Sequence, residues 1–201
     1  MMVRVSASIS SAGMNGPNRM ARIIMSMALP ATMTTSTKNE RVTLRTATAE
    51  DAPLILQFIR ELAEYERAPQ AAVATEQDLL RDGFGPHPKF RVLLAYCDGE
   101  LAGFALFFFN YSTWLGRPGL YLEDLFVRPP HRQHGVGKAV MRELARIALR
   151  ENCYGIKWLV LDWNQLAIDF YDKLGSERQS DWVSYRVVGD ALKKLAEEGS
   201  T

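Results

Sequence analysis

The chain has few cysteines and histidines, and their positions exclude several kinds of site. Its two cysteines, Cys97 and Cys153, lie far apart and form no CxxC pair, so neither a zinc finger nor a redox dithiol is predicted. We expect both to be buried, reduced thiols. The three histidines, His87, His131 and His134, have no cysteine or acid spaced to complete a ligand set, which argues against a bound metal.

Long apolar runs and an excess of basic residues are also missing. No stretch reaches the length that a membrane-spanning helix needs, so we expect no membrane partner and a cytoplasmic location. The charges nearly balance, with 24 basic and 23 acidic residues, whereas a general nucleic-acid binder would carry a strong basic excess. With 47% hydrophobic residues, the chain can bury one good core.

The N-terminal 40 residues differ in composition from the rest of the chain. They contain no acid before Glu40 and hold seven of the eight methionines. They show no sustained helical or alternating period, and their resemblance to a transit peptide is faint. We therefore interpret residues 1–40 as a disordered extension and residues 41–198 as a single folded domain.

The remaining chain alternates between strand-like runs and amphipathic helical patterns. The turn signal Asp98–Gly99–Glu100 predicts that the runs on either side pair antiparallel. Mixed strands with helices on both faces indicate an α/β or α+β layered domain. Strands are predicted at 41–45, 90–97, 101–110, 120–127, 156–161 and 182–188, and helices at 48–67, 75–80, 136–152, 164–174 and 191–196.

Residues 121–138, YLEDLFVRPPHRQHGVGK, carry the strongest functional signal. A strand leads through a basic loop into Gly135 and Gly137, and a helix follows. Unpaired N–H groups and the helix dipole converge at such a helix start, so this stretch predicts an anion site, and the expected anion is a phosphate.

The loop Arg132–Gly137 matches the (Arg/Gln)xxGx(Gly/Ala) motif of the GNAT acyl-CoA N-acetyltransferases. Further segments resemble the diamine (spermidine/spermine) and thialysine branch of that family, and the resemblance covers about residues 42–196. It implies a GNAT fold with a mixed central sheet of about six to seven strands, a splay after the fourth strand, and a homodimer paired near the C-terminus. The segments are RELAEYE (60–66), LLRDGFG (79–85), YLEDLFV (121–127), LDWNQ (161–165) and IDFYDKLG (168–175).

The resemblance implies an acetyl-CoA site and no metal. Backbone groups at the end of the strand would pair with the pantetheine arm, and the loop N–H groups would cradle the pyrophosphate, with added charge from Arg132 and Lys138. Asn164 would bond the arm or cap its helix. The implied contacts are Leu125, Phe126, Val127, Arg132, Gln133, His134, Gly135, Val136, Gly137, Lys138, Asn164, Ala167 and Tyr171.

Acetyl transfer to an amine needs a base and an acid. An amine resembling lysine has a pKa of about 10.4, so it arrives protonated at neutral pH. Glu123 matches the position of the family's base, and strand alternation places it on the face opposite Asp124, which we expect to support structure. Tyr171 matches the family's general acid and would donate to the leaving thiolate.

The predicted function is direct acetyl transfer, within a ternary complex, to a small cationic amine. Tyr65, Glu66, Trp114 and Glu123 are the predicted substrate contacts. Ser112 stands where the spermidine/spermine enzymes carry an aspartate, and residues 176–182 lack their paired glutamates, which favours a short amino acid with a side-chain amine over a polyamine. The alternatives are a protein N-terminal or lysine acetyltransferase, and a non-catalytic CoA-binding regulatory module.

Overall fold

Five strands form one sheet in the part of the chain that the computed structural model describes, residues 41–198. The predicted disordered extension, residues 1–40, lies outside the described residues. The strands are β1 (Val42–Thr46), β2 (Arg91–Cys97), β3 (Glu100–Ser112), β4 (Arg117–Val127) and β5 (Ile156–Lys157), and the helices are α1 (Ala52–Tyr65), α2 (Glu76–Gly83), α3 (Val136–Arg150), α4 (Gln165–Asp172) and α5 (Gly189–Glu197).

The strands follow one another across the sheet in the order β1-β2-β3-β4-β5. The first four are antiparallel neighbours, and β5 runs parallel to β4, so the sheet is mixed, as predicted. Asp98 and Gly99 both have positive φ at the turn between β2 and β3, which is the conformation that a tight hairpin turn requires. The predicted antiparallel hairpin is therefore confirmed.

Helices cover both faces of the sheet because each strand alternates its apolar side chains between two cores. Ile55 and Phe58 of α1 pack with Phe104 and Phe126 on one face, where Leu79 of α2 joins them. On the other face the inner stripe of α3 packs against the sheet. The second core includes Leu93, Ala95, Phe107, Leu120, Leu122, Val136, Val140 and Leu144.

Strand β4 is paired on both sides only in its first half. Leu120 and Tyr121 pair with β5, and no strand of the described sheet lies on that side beyond them. The pairing with β3 shifts between Leu106 and Phe107, which lie opposite Asp124 and Leu122, so Glu123 is the extra residue of a β-bulge. This divergence after β4 agrees with the predicted splay, and it leaves an opening beside the second half of the strand.

Two strand predictions were wrong. Only Ile156–Lys157 of the run 156–161 is a strand, and it lies at the edge of the described sheet because the chain then diverges from β4 and loses its ladder partner. Residues 182–188 form no strand and are exposed, since no described strand lies beside them to complete a ladder. The described sheet therefore has five strands, where about six to seven were predicted.

Several local predictions are confirmed. Thr48 and Asp51 form a capping box ahead of α1, and Asn164 is the N-cap of α4. Cys97 and Cys153 are buried free thiols, with 2% and 6% of their surfaces exposed. In residues 41–198, no helix is both long and apolar enough to cross a bilayer.

Candidate active site

The opening beside β4 widens into a cavity of about 1070 Å³. Its walls come from the end of α1, the second half of β4, the loop before α3, the segment after β5, and α4. Most of the residues predicted for the acetyl-CoA and substrate contacts line it. These are Tyr65, Glu66, Glu123, Leu125, Phe126, Val127, Arg132, Gln133, Gly135, Val136, Gly137, Lys138, Asn164, Ala167 and Tyr171.

One end of the cavity is formed by unpaired backbone N–H groups. Within the described structure, the N–H groups of residues 133–138 donate to no protein acceptor, whereas that of Ala139 already bonds to the Gly135 carbonyl oxygen at 2.9 Å. Gln133 and Gly135 both have positive φ, which turns the chain sharply before the helix. This arrangement of donors at a helix start is suited to a phosphate group.

Gly137 lies where the helix approaches α4 closely. A Cβ at this position would stand 3.2 Å from the Phe170 ring, closer than an ordinary contact. A side chain here would need the Phe170 ring to shift by a few tenths of an ångström. Packing against α4 therefore limits the size of residue 137, in addition to any role of the glycine in binding an anion.

Arg132 is already engaged by the protein. Its Nε donates to the Val127 carbonyl oxygen at 2.9 Å, and its guanidinium lies 4.7 Å from the centre of the Tyr65 ring. The Tyr65 hydroxyl in turn donates to Asn164 Oδ1 at 3.1 Å. These contacts connect residues 132–137 ahead of α3, called the anion loop below, with α1 and α4 across the cavity.

Asn164 makes two contacts through one oxygen. Oδ1 accepts from the Ala167 N–H at 3.2 Å, which caps α4, and also from the Tyr65 hydroxyl. The capping role predicted for Asn164 is thus present. Its amide nitrogen makes no hydrogen bond to another described residue, so it remains available to a ligand.

Tyr171 lies on α4 at the wall of the cavity. Its ring packs 4.8 Å from Trp158 and 5.1 Å from Phe170, centre to centre. Burial raises its pKa to about 12. The hydroxyl donates to no acceptor among residues 41–198, so its proton is held tightly and has no competing partner.

A group of acids forms another part of the cavity wall. Glu66 follows the end of α1, and Glu123 and Asp124 come from the bulge in β4. Burial raises the pKa of Glu66. Among the described residues no cluster of His, Cys, Asp and Glu could hold a metal ion.

The expectation that Glu123 and Asp124 point to opposite faces was wrong, and the bulge is the reason. Leu122 and Leu125 both pack into the core beneath α3, although they are three residues apart. The extra residue therefore reverses the alternation between them. Glu123 and Asp124 both line the cavity, and the negative charges of Glu123 and Glu66 both raise the pKa of Asp124.

Asp124 has no structural partner. It makes no hydrogen bond or ion pair within the described part of the chain, so the expectation that it supports structure is contradicted. Burial raises its pKa to about 7, and the negative charges of Glu123 and Glu66 add to the effect. Two adjacent acids at a strand end are visible in the sequence, but the bulge that brings them together is not.

The position of the acids is fixed by an ion pair behind them. Arg128, at the end of β4, donates to both carboxylate oxygens of Glu61 on α1, at 2.8 and 2.7 Å. The same guanidinium lies 4.6 Å from the centre of the Phe58 ring. This paired contact holds the end of β4 against α1, which carries Tyr65 and Glu66.

Two predicted residues are not brought to the cavity. His134 is exposed in the anion loop and is absent from the cavity wall. Trp114 lies in the turn between β3 and β4 with 58% of its surface exposed. Their predicted contacts with acetyl-CoA and substrate stay predictions.

The sequence reasoning missed an apolar wall of the cavity. After β5 the chain runs along the opening, and Trp158, Leu159, Val160 and Leu161 line it. These residues were predicted to continue a strand. An apolar run suits a buried strand and a cavity wall equally well, so the sequence pattern does not distinguish the two. The divergence of β5 from β4 is what turns them towards the opening.

Comparisons with known proteins agree with this fold and site. Residues 55–176 match the Acetyltransferase (GNAT) family. Over 166 residues the chain is 39% identical to thialysine N-epsilon-acetyltransferase of Sus scrofa, covering 77% of this chain and 97% of that protein. It is 36% identical over 165 residues to spermidine/spermine N(1)-acetyltransferase-like protein 1 of Homo sapiens, covering 77% and 24% respectively.

A solved structure shares the fold over most of its length. The integron cassette protein from the mobile metagenome of V. cholerae superposes with a TM-score of 0.68 at 27% sequence identity, covering 80% of this chain and 100% of that chain. The chain therefore belongs to the GNAT family of acetyltransferases and is an acyltransferase enzyme. Within that family it matches the predicted thialysine and spermidine/spermine branch.

Proposed function

We propose that this enzyme transfers the acetyl group of acetyl-CoA to the side-chain amine of a small amino acid resembling thialysine. The observation that carries the proposal is the composition of one cavity. Unpaired N–H groups at the start of α3 form one part of it, carboxylates at the bulge of β4 form another, and Tyr171 also lines it. An anionic acyl donor and a cationic amine would both find complementary charge there.

The residues of the cavity fit acetyl-CoA. The unpaired N–H groups of residues 133–138 suit a pyrophosphate, and Lys138 lines the same part of the cavity. Within residues 41–198 no strand lies on the open side of the second half of β4, so Leu125, Phe126 and Val127 can pair with an extended arm as with an added strand. The Val127 carbonyl already accepts from Arg132, so this arm would compete with or rearrange that contact.

The amine must be neutral before it attacks the thioester. Glu66, Glu123 and Asp124 favour binding of the ammonium form, and a carboxylate of the group accepts one proton from it. The sequence assigns this proton to Glu123. The neutral nitrogen then attacks the carbonyl carbon, the C–N bond forms, and the C–S bond breaks.

Tyr171 acts on the departing sulfur as a hydrogen-bond donor. Its pKa of about 12 exceeds that of a thiol, near 8.5, by about 3.5 units, so complete transfer to a thiolate would cost roughly 5 kcal/mol. A donor that keeps its proton still stabilises the negative charge as it builds up on sulfur. Burial therefore favours hydrogen bonding by Tyr171 over the full proton transfer of a simple general acid.

Two features support a short amino acid as substrate. The relative from Sus scrofa is named for thialysine, and Ser112 and residues 176–182 lack the acids expected for a long polyamine. Of the four acids that line the cavity, Asp169 lies on α4, and Glu66, Glu123 and Asp124 form a group at the bulge. They suit one amine near the reacting carbon.

The test is thiol release from acetyl-CoA by the full chain, with thialysine, lysine, ornithine, putrescine, spermidine and a lysine peptide as acceptors. We expect thialysine or another short diamino acid to turn over fastest, with acetylation of the side-chain nitrogen shown by mass spectrometry. Fastest turnover of the peptide would indicate a protein acetyltransferase instead. Binding of CoA without turnover of any amine would indicate a regulatory module.

We also propose a homodimer in which a second copy covers the C-terminal region. Residues 181–188 and α5 are exposed, and they carry large apolar side chains such as Trp182, Tyr185 and Leu195, at 61%, 90% and 59% exposure. An apolar surface of this kind is typical of an interface between subunits. The nearby β5 edge is available for strand pairing.

The dimer is tested by light scattering coupled to gel filtration. We expect a dimer for the wild type and for Leu149→Glu, which changes an exposed leucine on α3, 79% exposed and outside this surface. Tyr185→Glu and Leu195→Glu should give monomers. A wild-type monomer at micromolar concentration would contradict the proposal.

A further inference from the structure

Asp124 is an acid of the cavity wall for which the sequence predicted no catalytic role. It is partly buried, it lines the cavity, and it has no hydrogen-bond or ion-pair partner in residues 41–198. Glu61, by comparison, lies nearby on α1 and is fully engaged by Arg128. A buried carboxylate without a partner costs stability, so a group kept in this state calls for a function.

The bulge in β4 places Asp124 on the wall of the cavity, beside the free edge of the strand. The bulge at Glu123 turns both acids into the cavity, immediately before Leu125, whose backbone is free on the open side of β4. The proposed pantetheine arm lies along that side. An amine bound beside that arm would lie in the cavity that Asp124 lines.

Acids and tyrosines share the cavity wall with Asp124. Tyr65 and Glu66 come from α1 and its end, Glu123 comes from β4, and Asp169 and Tyr171 come from α4. The cations of the cavity belong to the anion loop, α3 and the end of α4, and Arg132 is engaged by Val127 and Tyr65. None of the described cations pairs with Asp124. Those cations are His131, Arg132, Lys138 and Lys173.

We propose that Asp124, rather than Glu123, takes the proton from the substrate ammonium, a role that rests on the proposed acetyl transfer. One N–H bond of the ammonium breaks and its proton forms an O–H bond on Asp124, which leaves a neutral amine. The amine attacks the thioester carbon, the C–S bond breaks, and the second proton of the nitrogen neutralises the sulfur. Asp124 then releases its proton to water, and Glu123 holds the cation at the cavity mouth.

The electrostatics of the site support this assignment. Burial and the charges of Glu123 and Glu66 raise the pKa of Asp124 to about 7. A base is most effective when its pKa lies near the working pH, because it is then both deprotonated and sufficiently basic. Glu123 is exposed, which suits a group that binds the ammonium.

The experiment compares Asp124→Asn, Asp124→Glu and Glu123→Gln with wild type, and measures kcat/KM for thialysine from pH 5.5 to 9.5. We expect Asp124→Asn to lower kcat/KM at pH 7 by about a hundredfold or more. The acidic limb of the profile should disappear, and activity should recover at high pH as the free amine becomes abundant. Asp124→Glu should restore an acidic limb.

Glu123→Gln gives the opposite pattern. It should raise KM and keep the acidic limb, displaced to lower pH because a neighbouring negative charge is removed. Asp98→Asn is the matched control, since Asp98 is an exposed aspartate on the turn between β2 and β3 and should leave the profile unchanged. Thermal melts of each variant show that it is folded.

Each outcome bears on a different proposal. Loss of the acidic limb in Glu123→Gln, with the limb kept in Asp124→Asn, would overturn the assignment to Asp124. A wild type that binds CoA and acetylates no amine would overturn the proposed function itself, and the assignment with it. Loss of folding in Asp124→Asn would show a structural role and would also overturn the assignment.

Discussion

Asp51 and Asp124 are both withdrawn from water, and the protein treats their charges in opposite ways. Asp51 is 6% exposed and accepts hydrogen bonds from both Arg45 guanidinium nitrogens at 2.7 Å and from the Thr48 N–H at 2.8 Å. Arg45 and Thr48 lower its pKa to about 2. Asp124 has no such partner, and burial raises its pKa to about 7.

The two aspartates therefore change stability in opposite directions with pH. The folded-state pKa of Asp51 lies below the usual value of 3.8, so its contribution is present above that pH and is lost as the pH falls towards 2. The folded-state pKa of Asp124 lies above 3.8, so stability is lost as the pH rises through about 7. The ionised carboxylate of Asp51, paired with Arg45, stabilises the fold. The ionised carboxylate of Asp124, which has no partner in the described structure, destabilises it.

The largest expected effect comes from Tyr171, another unpartnered polar group of the cavity. Tyr171→Phe removes the buried hydroxyl and should lower kcat by about a hundredfold to a thousandfold, because one donor to developing charge typically has that effect. The thermal midpoint should not fall, since the hydroxyl has no partner in the described structure. Stopped-flow thiol release and a thermal melt check the two statements, and a fall in midpoint with unchanged kcat would contradict them.

The next effect is an opposite change in stability for two Asp→Asn substitutions. At pH 8, Asp124→Asn should raise the free energy of unfolding by about 4 kcal/mol, because it removes a charge whose pKa is raised by about three units. Asp51→Asn should lower it by about 3 kcal/mol, because it leaves Arg45 without its partner. Urea titrations at pH 8 measure both.

The same titrations at pH 4 provide the control. Near that pH the Asp124 carboxyl is protonated in the folded protein and about half protonated in the unfolded chain, so the gain from Asp124→Asn should largely disappear. The loss from Asp51→Asn should remain substantial. If both substitutions changed the free energy of unfolding in the same direction at pH 8, the proposed difference between a paired and an unpaired aspartate would be contradicted.

A smaller effect is expected at Asn164. Its side-chain oxygen accepts two hydrogen bonds, and its amide nitrogen has no partner among the described residues. Asn164→Ala removes the cap of α4 and the acceptor of the Tyr65 hydroxyl, and should lower stability by about 1 kcal/mol. It should also raise KM for acetyl-CoA several-fold. Asn164→Asp, which keeps a capping oxygen, should restore the stability but not the KM, whereas full recovery of both would contradict a ligand contact of the amide nitrogen.

The smallest effect is expected at an exposed ion pair. Arg178 pairs with Asp172 at the surface, where the two side chains are 67% and 43% exposed. Asp172→Asn should leave the free energy of unfolding almost unchanged, because water and salt screen such pairs. Urea titration checks this, and a loss comparable with that of Asp51→Asn would show that burial does not separate the two classes of pair.

The parts of the site that follow from local chemistry were predictable from the sequence. Gly135 and Gly137 mark a tight turn before a helix, and Asn164 is a typical N-cap, so the anion loop and the start of α4 could be located. The order of strands and helices also followed from periodicity. These features depend on residues that are close together in the chain.

The parts that depend on pairing between distant segments were not predictable. The bulge at Glu123 arises from the register between β3 and β4, and it reverses which face Asp124 occupies. The run after β5 could form a strand only where β4 stays beside it. Residues 182–188 have a strand-like sequence, but the described chain supplies no partner for them.

The most direct test of the role of Asp124 is the titration of its own carboxyl carbon. The full chain can be labelled with carbon-13 at the aspartate carboxyls, with Asp124→Asn used to assign the resonance, and its shift followed by NMR from pH 3 to 9. We expect a midpoint near 7, and a lower one in Glu123→Gln. A midpoint near 4 in the wild type would show that Asp124 is an ordinary solvated acid and would contradict its assignment as the base.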